Sequence, residues 1–484
     1  MIRKKIIIPI LCLSFGMMGL KAQNGQPLSL DLKTTLDIAL SNNPSVKVAD
    51  MEIKKKEYAK KSAIGSLLPQ IDLIGQYQRA IQRQTVYFDG GFGMGTSTID
   101  PTKYTPEELK ILEVLGKAMA PDPAEAKKGI QMGRLNSYTA GLNVSLPLVV
   151  PSLWKNVQLS QMDIELAREQ SRASRIDLVN KVTKAYYSAL LAKDSYRVFK
   201  ETYSMDSINF ENIQRKYNAG VVAEYDKISA DVRLKSIIPN ILQAENMMKI
   251  SELQLKILMG IDVNTPINLV GSLRDYEKNM FSEILAADSA MIGSTELAQF
   301  DMQNQKATKA LEIQKMQYYP TLTSTFNYMY MSQSNDFKFA DYRWDPFSTF
   351  GITLSIPIFH GGKRYNDIKQ TEIQLQQLKY QREDLRRNLQ LGARNNMEMI
   401  NKNIEQIKAT QSTIEQAKKG YSIAKKRYDT GLGTIVDVNA ASLAVTNAEL
   451  QYRNAIYDYL SAKSDLDKIL GNTIEPISTI TTNK

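Results

Sequence analysis

Hydrophobic and polar residues alternate along four short segments of the chain. In residues 138–147 every second position is apolar, and the positions between them carry Thr, Gly, Asn, Ser or Pro. The segments 70–78, 321–330 and 348–356 follow the same period of two, which is typical of a strand with one polar face. The pattern therefore predicts four strands of roughly nine to eleven residues, the length of a lipid-crossing strand. A soluble sandwich would show the same alternation.

The spacing of hydrophobic residues changes to threes and fours in two longer stretches, about 152–260 and 362–470. Both stretches are rich in Lys, Glu, Gln, Ala, Leu and Arg, which favour helices. Each breaks once, at Gly220 and at Gly431, and a glycine past a helix end can adopt the left-handed conformation that closes it. We expect two hairpins of long helices, with one leg of ~100 Å at about 1.5 Å per residue.

The chain contains the same pattern twice, because residues 217–260 align without a gap on residues 428–471. The coinciding residues include Tyr217/Tyr428, Gly220/Gly431, Asp226/Asp437, Ala230/Ala441 and Gly260/Gly471. This unit is far longer than a solenoid repeat, which spans roughly 20–50 residues. The prediction is an internal duplication, with a first structural repeat at 23–270, a second at 271–471 and a C-terminal tail at 472–484.

The four predicted strands form two pairs, and the loops within the pairs differ in length. The first loop, about 79–137, contains a helix-like segment at 106–119, whereas the second, about 331–346, is short. Four strands are too few to close a barrel, and each unpaired backbone group in lipid costs several kcal/mol. The sheet therefore lies outside a membrane, or several chains share one barrel.

The chain begins with an expected signal peptide at residues 1–22, in which basic residues precede an apolar run that ends near Ala22. The single cysteine, Cys12, lies inside this segment, so the exported chain would carry no thiol. The formal charge of +10 falls to +6 without the four basic residues of the signal peptide. No basic block remains, which argues against nucleic-acid binding.

His360 is the only histidine of the chain. A metal site built on a pair of histidines is therefore excluded, and no nucleophile and orienting group are apparent around the turn that carries His360. We expect no metal, no cofactor and no enzymatic activity.

At this point the sequence resembles the TolC-like outer-membrane efflux proteins of Gram-negative bacteria. The resemblance is carried by Tyr428-Asp-Thr-Gly-Leu-Gly-Thr-Ile-Val-Asp-Val-Asn-Ala-Ala441, by Ile356-Pro-Ile-Phe-His-Gly-Gly-Lys363 and by Ala39-Leu-Ser-Asn-Asn-Pro44. It implies a mainly α fold with a small β part. It also implies a homotrimer whose twelve-stranded β-barrel in the outer membrane is continuous with an α-helical barrel in the periplasm.

The same resemblance implies the function of an outer-membrane channel in a tripartite efflux or secretion system. Its partners would be a periplasmic adaptor protein, an inner-membrane pump and outer-membrane lipid. Two alternatives stay open, a periplasmic coiled-coil adaptor or scaffold and a surface adhesin that uses the loop 79–137. The exported substrate cannot be chosen from the sequence.

The family closes its periplasmic end with tyrosine, arginine and aspartate side chains at the hairpin turns. By position, the residues of such an aperture are Tyr217, Tyr428, Asp226 and Asp437. The hairpin turns would use Gly220, Gly431 and Gly433, and the strand-to-helix turn Pro357, Gly361 and Gly362. Gly433 and Ala440 stand where the best-known member has an arginine and a second aspartate.

Two of these assignments have a simpler alternative. Asp437 lies three residues after Thr434, the spacing at which a carboxylate caps a helix N-terminus. Tyr217 and Tyr428 could serve only to pack the turns.

Overall fold

A computed structural model of the chain describes residues 27–86, 101–119, 130–279 and 293–472. The expected signal peptide, nearly all of the C-terminal tail and the glycine-rich part of the first loop lie outside the described residues. The chain divides into two compact units. The helical unit is drawn from Met1–Lys56, Met162–Lys306 and Gln374–Lys484. The sheet unit is drawn from Glu57–Gln161 and Ala307–Ile373.

Each unit takes elements from both sequence repeats. The strands of the described residues are β1 (Leu28–Leu30), β2 (Gln70–Arg79), β3 (Gln84–Val86), β4 (Ile130–Met132), β5 (Asn136–Val149), β6 (Ile267–Leu269), β7 (Thr321–Ser334) and β8 (Asp345–Ser355). The α-helices are α1 (Leu32–Asn42), α2 (Pro44–Gly65), α3 (Pro106–Met119), α4 (Pro151–Asn218), α5 (Glu224–Ser236), α6 (Ile238–Met259), α7 (Thr295–Met316), α8 (Lys363–Asp429) and α9 (Ile435–Leu470).

The sheet unit is built on one antiparallel sheet with the order β2-β5-β7-β8. The sequence pattern indicated two separate pairs, but β5 of the first half also bonds to β7 of the second half. The pattern could not show this pairing, because alternation defines a strand's faces and not its neighbour. The loop segment 106–119 forms α3 as its composition indicated, and β3 pairs with β4 at the base of the same loop.

The two faces of this sheet differ in polarity across its width. Directly paired residues lie on the same face, and Leu73, Leu142 and Tyr328 share one row on the apolar face. The next row on the opposite face contains Asn143 and Asn327. The Asn143 amide donates a hydrogen bond to Asn327 Oδ1 over 2.5 Å.

The helical unit has a continuous apolar core, in which Tyr186 and Leu190 of α4 are fully buried. The Tyr186 hydroxyl lies 3.4 Å from the carbonyl oxygen of Leu30 and 3.2 Å from that of Val270. Leu30 is the last residue of β1 and Val270 directly follows β6, and these two strands pair in parallel. No helix in the described part of the chain is both long enough and apolar enough to span a bilayer.

The second leg of the first hairpin is not the single long helix that the sequence indicated. It consists of α5, with 13 residues, and α6, with 22 residues, whereas the corresponding α9 runs for 36 residues without a break. The interruption falls at Ile237, two residues before Pro239. Proline lacks the backbone donor that a helix interior requires and favours the first turn of a new helix.

Gly141 of β5 provides a test of how closely the halves pack. A Cβ atom at this position would lie 2.6 Å from Met329 Cα and would also contact the Tyr328 carbonyl oxygen in β7. We expect Gly141→Ala to lower the free energy of unfolding by about 1–3 kcal/mol, as overpacking does. The measurement is the temperature at which the purified protein loses its β circular dichroism signal.

Gly75 of β2 is the matched control, since a Cβ atom there meets nothing within 4 Å. Gly75→Ala should melt at or slightly above the wild-type temperature. Equal melting temperatures for the two variants would contradict the close approach of β5 to β7.

Candidate functional site at the hairpin turns

The two hairpin turns of the helical unit have the same backbone geometry. Gly220 and Gly431 both have φ of 75°, which a side chain would disfavour. The amide of Gly220 bonds to the carbonyl of Tyr217 over 2.8 Å, and that of Gly431 bonds to Tyr428 over 3.1 Å. The amide after each glycine reaches the carbonyl five residues back, as in a Schellman motif. The two repeated glycines therefore end α4 and α8 in the same way.

Gly433 has a packing role in the second turn. A Cβ atom on this residue would lie 3.1 Å from Arg427 Cβ and 3.3 Å from the backbone nitrogen of Tyr428. The Arg427 guanidinium donates to the carbonyl of Leu432 over 3.1 Å. The close backbone favours glycine where the resemblance implied an arginine.

Asp437 forms a capping box with Thr434 at the start of α9. Its carboxylate accepts hydrogen bonds from the Thr434 amide at 3.0 Å and the Thr434 hydroxyl at 2.9 Å. The Asp437 amide in turn donates to the Thr434 hydroxyl over 3.3 Å. The hydrogen bond from the Thr434 amide, followed by that from its hydroxyl, lowers the pKa of Asp437 below its ordinary value. The cap that the spacing indicated is therefore present.

Asp226 lies in a different environment, although it occupies the corresponding position in the first half. The cap residue of α5 is Ala223, whose methyl group cannot form a capping hydrogen bond. The Asp226 carboxylate instead accepts a hydrogen bond from the Tyr428 hydroxyl over 3.2 Å. Tyr428 and Asp226 thus connect the turns of the two halves.

The Tyr428 ring is also part of a small apolar cluster between the turns, and only 9 % of its surface is exposed. Its buried neighbours are Ile213, Ala230, Ile435 and Val438. Burial, followed by the nearby carboxylate of Asp226, raises the pKa of Tyr428 to about 12. The hydroxyl therefore keeps its proton at neutral pH and can donate it to Asp226 in a hydrogen bond.

Two lysines next to the turns contact the repeated tyrosines. Lys227 Nζ lies 4.9 Å from the centre of the Tyr217 ring. Lys216 Nζ lies 5.2 Å from the centre of the Tyr428 ring and forms an ion pair with Asp429 over 2.9 Å. Tyr217 is only partly buried, so the two tyrosines are not equivalent despite the repeat.

A buried ion pair that the sequence analysis missed lies further along the same helices. Arg233 Nε of α5 is 3.0 Å from Asp206 Oδ2 of α4. Ser442 of α9 donates a hydrogen bond to the other Asp206 oxygen over 2.9 Å. Burial raises the pKa of Asp206, while the Arg233 guanidinium and the Ser442 hydroxyl oppose that shift. No spacing signal identified these residues, since each lies on a different helix.

The strand-to-helix turn belongs to the sheet unit and has the geometry that its glycines indicated. Gly361 and Gly362 have φ of 59° and 76°. The Lys363 amide donates to the His360 carbonyl over 3.1 Å, and the Arg364 guanidinium donates to the Pro357 carbonyl over 3.4 Å. These contacts give Pro357, Gly361 and Gly362 a structural role in starting α8.

Solved structures of outer-membrane channels have the same arrangement of long helices and few strands, which shows the fold of the protein. The Campylobacter jejuni CmeC outer membrane channel is 17% identical with a TM-score of 0.67, covering 97% of this chain and 94% of that chain. The open state of the Neisseria gonorrhoeae MtrE outer membrane channel is 15% identical with a TM-score of 0.66, covering 91% of this chain and 88% of that chain.

Sequence comparison gives the family. The chain is 23% identical over 339 residues to outer membrane protein TolC of Vibrio cholerae serotype O1, covering 70% of this chain and 77% of that protein. It is 22% identical over 333 residues to the alkaline protease secretion protein AprF of Pseudomonas aeruginosa, with 68% of each covered. The chain belongs to the family described as outer membrane efflux protein, whose sequence model matches residues 35–261 and 286–472.

Membership of this family confirms the resemblance found in the sequence. The protein is an outer-membrane channel of efflux or secretion systems that extends into the periplasm, and its family is a transport family and not an enzyme family. The family assignment favours the channel over the adaptor, scaffold and adhesin alternatives.

The capping box generates a stability prediction. Thr434→Ala should cost about 1 kcal/mol of unfolding free energy, as the loss of an N-cap side chain does. Because the folded-state pKa of Asp437 is lowered, its contribution is present above the ordinary value of 3.8 and is lost as the pH falls through the lower folded pKa. Asp437→Asn should therefore have a lower melting temperature than wild type at pH 7. The difference between the two melting temperatures should become smaller in strongly acidic buffer.

Glu224→Gln is the matched control, because Glu224 is an exposed acid in the first turn of α5, whose cap residue Ala223 has no side-chain cap. It should leave the melting temperature near wild type at both pH values. A gap between Asp437→Asn and wild type that persists at the lowest pH would argue against the carboxylate cap.

Proposed function

We propose that three copies of this chain close one twelve-stranded barrel in the outer membrane. Through this barrel, substrates would pass to the exterior from a periplasmic adaptor protein and an inner-membrane pump. The observation that carries this proposal is an open sheet with one apolar and one polar face. Within the described residues, the outer strands β2 and β8 each bond to a single neighbour.

The lengths of the edge strands support closure by copies of the same chain. β2 has 10 residues and β8 has 11, so β8 of one copy matches β2 of the next in length. Each is also about the length that a tilted lipid-crossing strand requires. Joining three sheets in this way would leave no unpaired edge, which removes the cost of bare backbone groups in lipid.

The two faces of the sheet suit the two sides of such a barrel. Leu73, Leu142 and Phe350 are exposed apolar residues, as expected of side chains that face lipid. On the other face, the Asn143 amide bonds to Asn327 and the Asn327 amide bonds to Thr349 over 3.2 Å. This row of amides and hydroxyls is suited to a water-filled lumen.

The long helices support a path through the periplasm. α8 contains 67 residues, which corresponds to ~100 Å at about 1.5 Å per residue. The family is described by efflux, whereas one relative is named for protease secretion, so these names do not choose between small substrates and polypeptides. We propose that the adaptor and pump determine the cargo.

We further propose that the hairpin turns form the periplasmic aperture of the channel. The hydrogen bond from Tyr428 to Asp226 would hold the two turns of one copy together in the closed state. In a trimer, Asp226 and Asp437 would each recur three times around the axis and attract cations at a narrow opening. Lys216 forms an ion pair with Asp429, and Lys227 lies over the Tyr217 ring. The charges of these two lysines therefore interact with groups other than Asp226 and Asp437.

The barrel proposal predicts a trimer whose assembly depends on the sheet faces. The purified protein in detergent should have the mass of three copies, measured by light scattering. Leu142→Arg and Ile352→Arg put a charge on the lipid face, which costs about 2–4 kcal/mol near the midplane, and should reduce the amount of trimer in the outer membrane.

Thr353→Arg and Asn143→Arg are the matched controls on the polar face and should still assemble. Thr353 is the cleaner of the two, because Asn143 loses its bond to Asn327. A stable monomer with an intact β circular dichroism signal would contradict the shared barrel. Equal amounts of trimer for the lipid-face and the polar-face variants would contradict it as well.

The aperture proposal predicts changes in single-channel recordings. Tyr428→Phe removes this hydrogen bond, and Asp226→Asn weakens it because a neutral amide oxygen accepts less strongly than a carboxylate. Each variant should therefore increase the conductance of the closed channel. The closed-channel conductance of the double variant should be only slightly higher than that of the single variants, since the effects of two residues that share one contact are not additive. Asp226→Asn combined with Asp437→Asn should also lower cation selectivity.

Tyr217→Phe is the matched control, because among the described residues the Tyr217 hydroxyl forms no hydrogen bond, and it should conduct as wild type. Equal conductance of Tyr217→Phe and Tyr428→Phe would contradict the proposed contact. Unchanged selectivity in the double aspartate variant, with a lower melting temperature, would leave Asp437 as a helix cap only.

A further inference from the structure

The apolar face of the sheet ends in a group of aromatic side chains at the end where the loops leave β2 and β7. We call Tyr77, Tyr138, Phe339, Tyr342 and Trp344 the aromatic rim. Tyr77 stacks on Tyr138 with 5.0 Å between ring centres, and the ring centres of Phe339 and Tyr342 both lie 5.4 Å from that of Tyr138. The ring centre of Trp344 lies 6.5 Å from that of Tyr138. The rim is a continuous aromatic surface and not a set of isolated residues.

Part of this surface is open to its surroundings. Phe339 is 58 % exposed and Trp344 is 42 % exposed. Tyr77 and Tyr138 are directly paired across β2 and β5 and lie on the face that carries Leu73 and Leu142. The aromatic rim therefore continues the apolar face up to the loops, where a barrel would meet the headgroups of the outer leaflet.

Three arginines, which we call the rim arginines, lie at the same end of the sheet. Arg79 ends β2 on the apolar face, and its guanidinium carbon lies 5.8 Å from the centre of the Phe337 ring. Arg83 precedes β3 and Arg134 follows β4, and β3 and β4 pair with each other. The Ala80 amide bonds to the Leu135 carbonyl over 2.8 Å, which keeps the two chain segments adjacent.

The rim arginines form no ion pair with any acidic residue that the structure describes. Of the nearby acids, Asp345 is bound by Arg343 over 2.7 Å. The Asp336 carboxylate accepts hydrogen bonds from the Ser334 hydroxyl at 2.6 Å and the Lys338 amide at 3.4 Å. Asp341 is an exposed opposing charge, and Lys338 is an exposed additional cation. Positive charge therefore remains in excess beside the aromatic rim.

We propose that the rim arginines and the aromatic rim bind the phosphate of a phosphorylated glycolipid in the outer leaflet, whose acyl chains lie on the apolar face below. A guanidinium matches phosphate with two parallel hydrogen bonds. Aromatic rings prefer the interface between chains and headgroups. This inference rests on the proposed insertion of the sheet in the outer membrane. A free phosphate would use the arginines but not the apolar face.

The test compares two lipids on the full-length protein in mild detergent, with native mass spectrometry of the assembled protein as the readout. The probes are bisphosphorylated lipid A and the same lipid after removal of both phosphates. Wild type should retain the phosphorylated lipid at least about tenfold more strongly, the effect of losing one charge-assisted contact. Equal retention of the two lipids would overturn the proposal without requiring any variant.

The variant arm replaces Arg79, Arg83 and Arg134 together with Gln. The preference for the phosphorylated lipid should disappear. The matched control replaces the exposed residues Lys33, Lys47 and Lys54 of the helical unit with Gln, which removes the same charge and should preserve the preference. Arg79→Lys keeps the charge but loses the fork of donors, and should bind at an intermediate level. A triple arginine variant that prefers the phosphorylated lipid as wild type does would also overturn the proposal.

A competition arm separates a lipid site from a phosphate site. Inorganic phosphate at millimolar concentration should fail to displace the lipid, and displacement would overturn the lipid assignment. Failure of the proposed function looks different, since the protein would then not fractionate with outer membranes or assemble as a trimer. A trimer in the outer membrane that shows no lipid preference would reject only the present inference.

Discussion

The backbone hydrogen bonds of the sheet edges are the constraint on which the rest of the structure depends. A strand supplies donors and acceptors along both sides, and only β5 and β7 have both sides occupied within the described residues. In water the outer sides of β2 and β8 would be solvated, but in lipid each bare group is expensive. A single copy of the sheet in a membrane would therefore leave the backbone groups on the outer sides of β2 and β8 unpaired. The proposed trimer and the separation of polar and apolar faces both follow from meeting that requirement.

Much of the fold was predictable because its signals are local. The alternation around Leu142 defined a strand, Gly431 marked a helix end, and Thr434 with Asp437 marked a helix start, since each of these depends on residues a few positions apart. The break at Ile237 was missed because the helical composition continues on both sides of Pro239. The contact between Tyr428 and Asp226 joins residues 202 positions apart, and no periodicity reports such a distance. The family resemblance suggested these two side chains, but only the structure, which brings the start of α5 to the end of α8, shows that they meet.

The internal repeat is conserved in backbone geometry more than in side-chain chemistry. Gly220 and Gly431 have the same φ, yet the carboxylates that follow them are used differently. Asp437 caps its own helix, while Asp226 accepts a bond from the other half. The difference traces to the cap position, which is Thr434 in one half and Ala223 in the other. A threonine holds the carboxylate locally, and an alanine leaves it available to a partner. The two halves of the duplicated motif therefore hold their carboxylates differently.

The pairing of β5 with β7 also sets the order in which the protein can be built. Asn143 and its neighbour Asn327 are 184 residues apart, so β5 leaves the ribosome long before the strand that completes its second side. Pairing over such a separation carries a high loop-closure cost and is slow. During that interval the edge of β5 and the apolar face around Leu142 are open to other chains, which is a route to aggregation. A chain with this pairing needs protection before β7 is available, and the complete sheet is a late product of its synthesis.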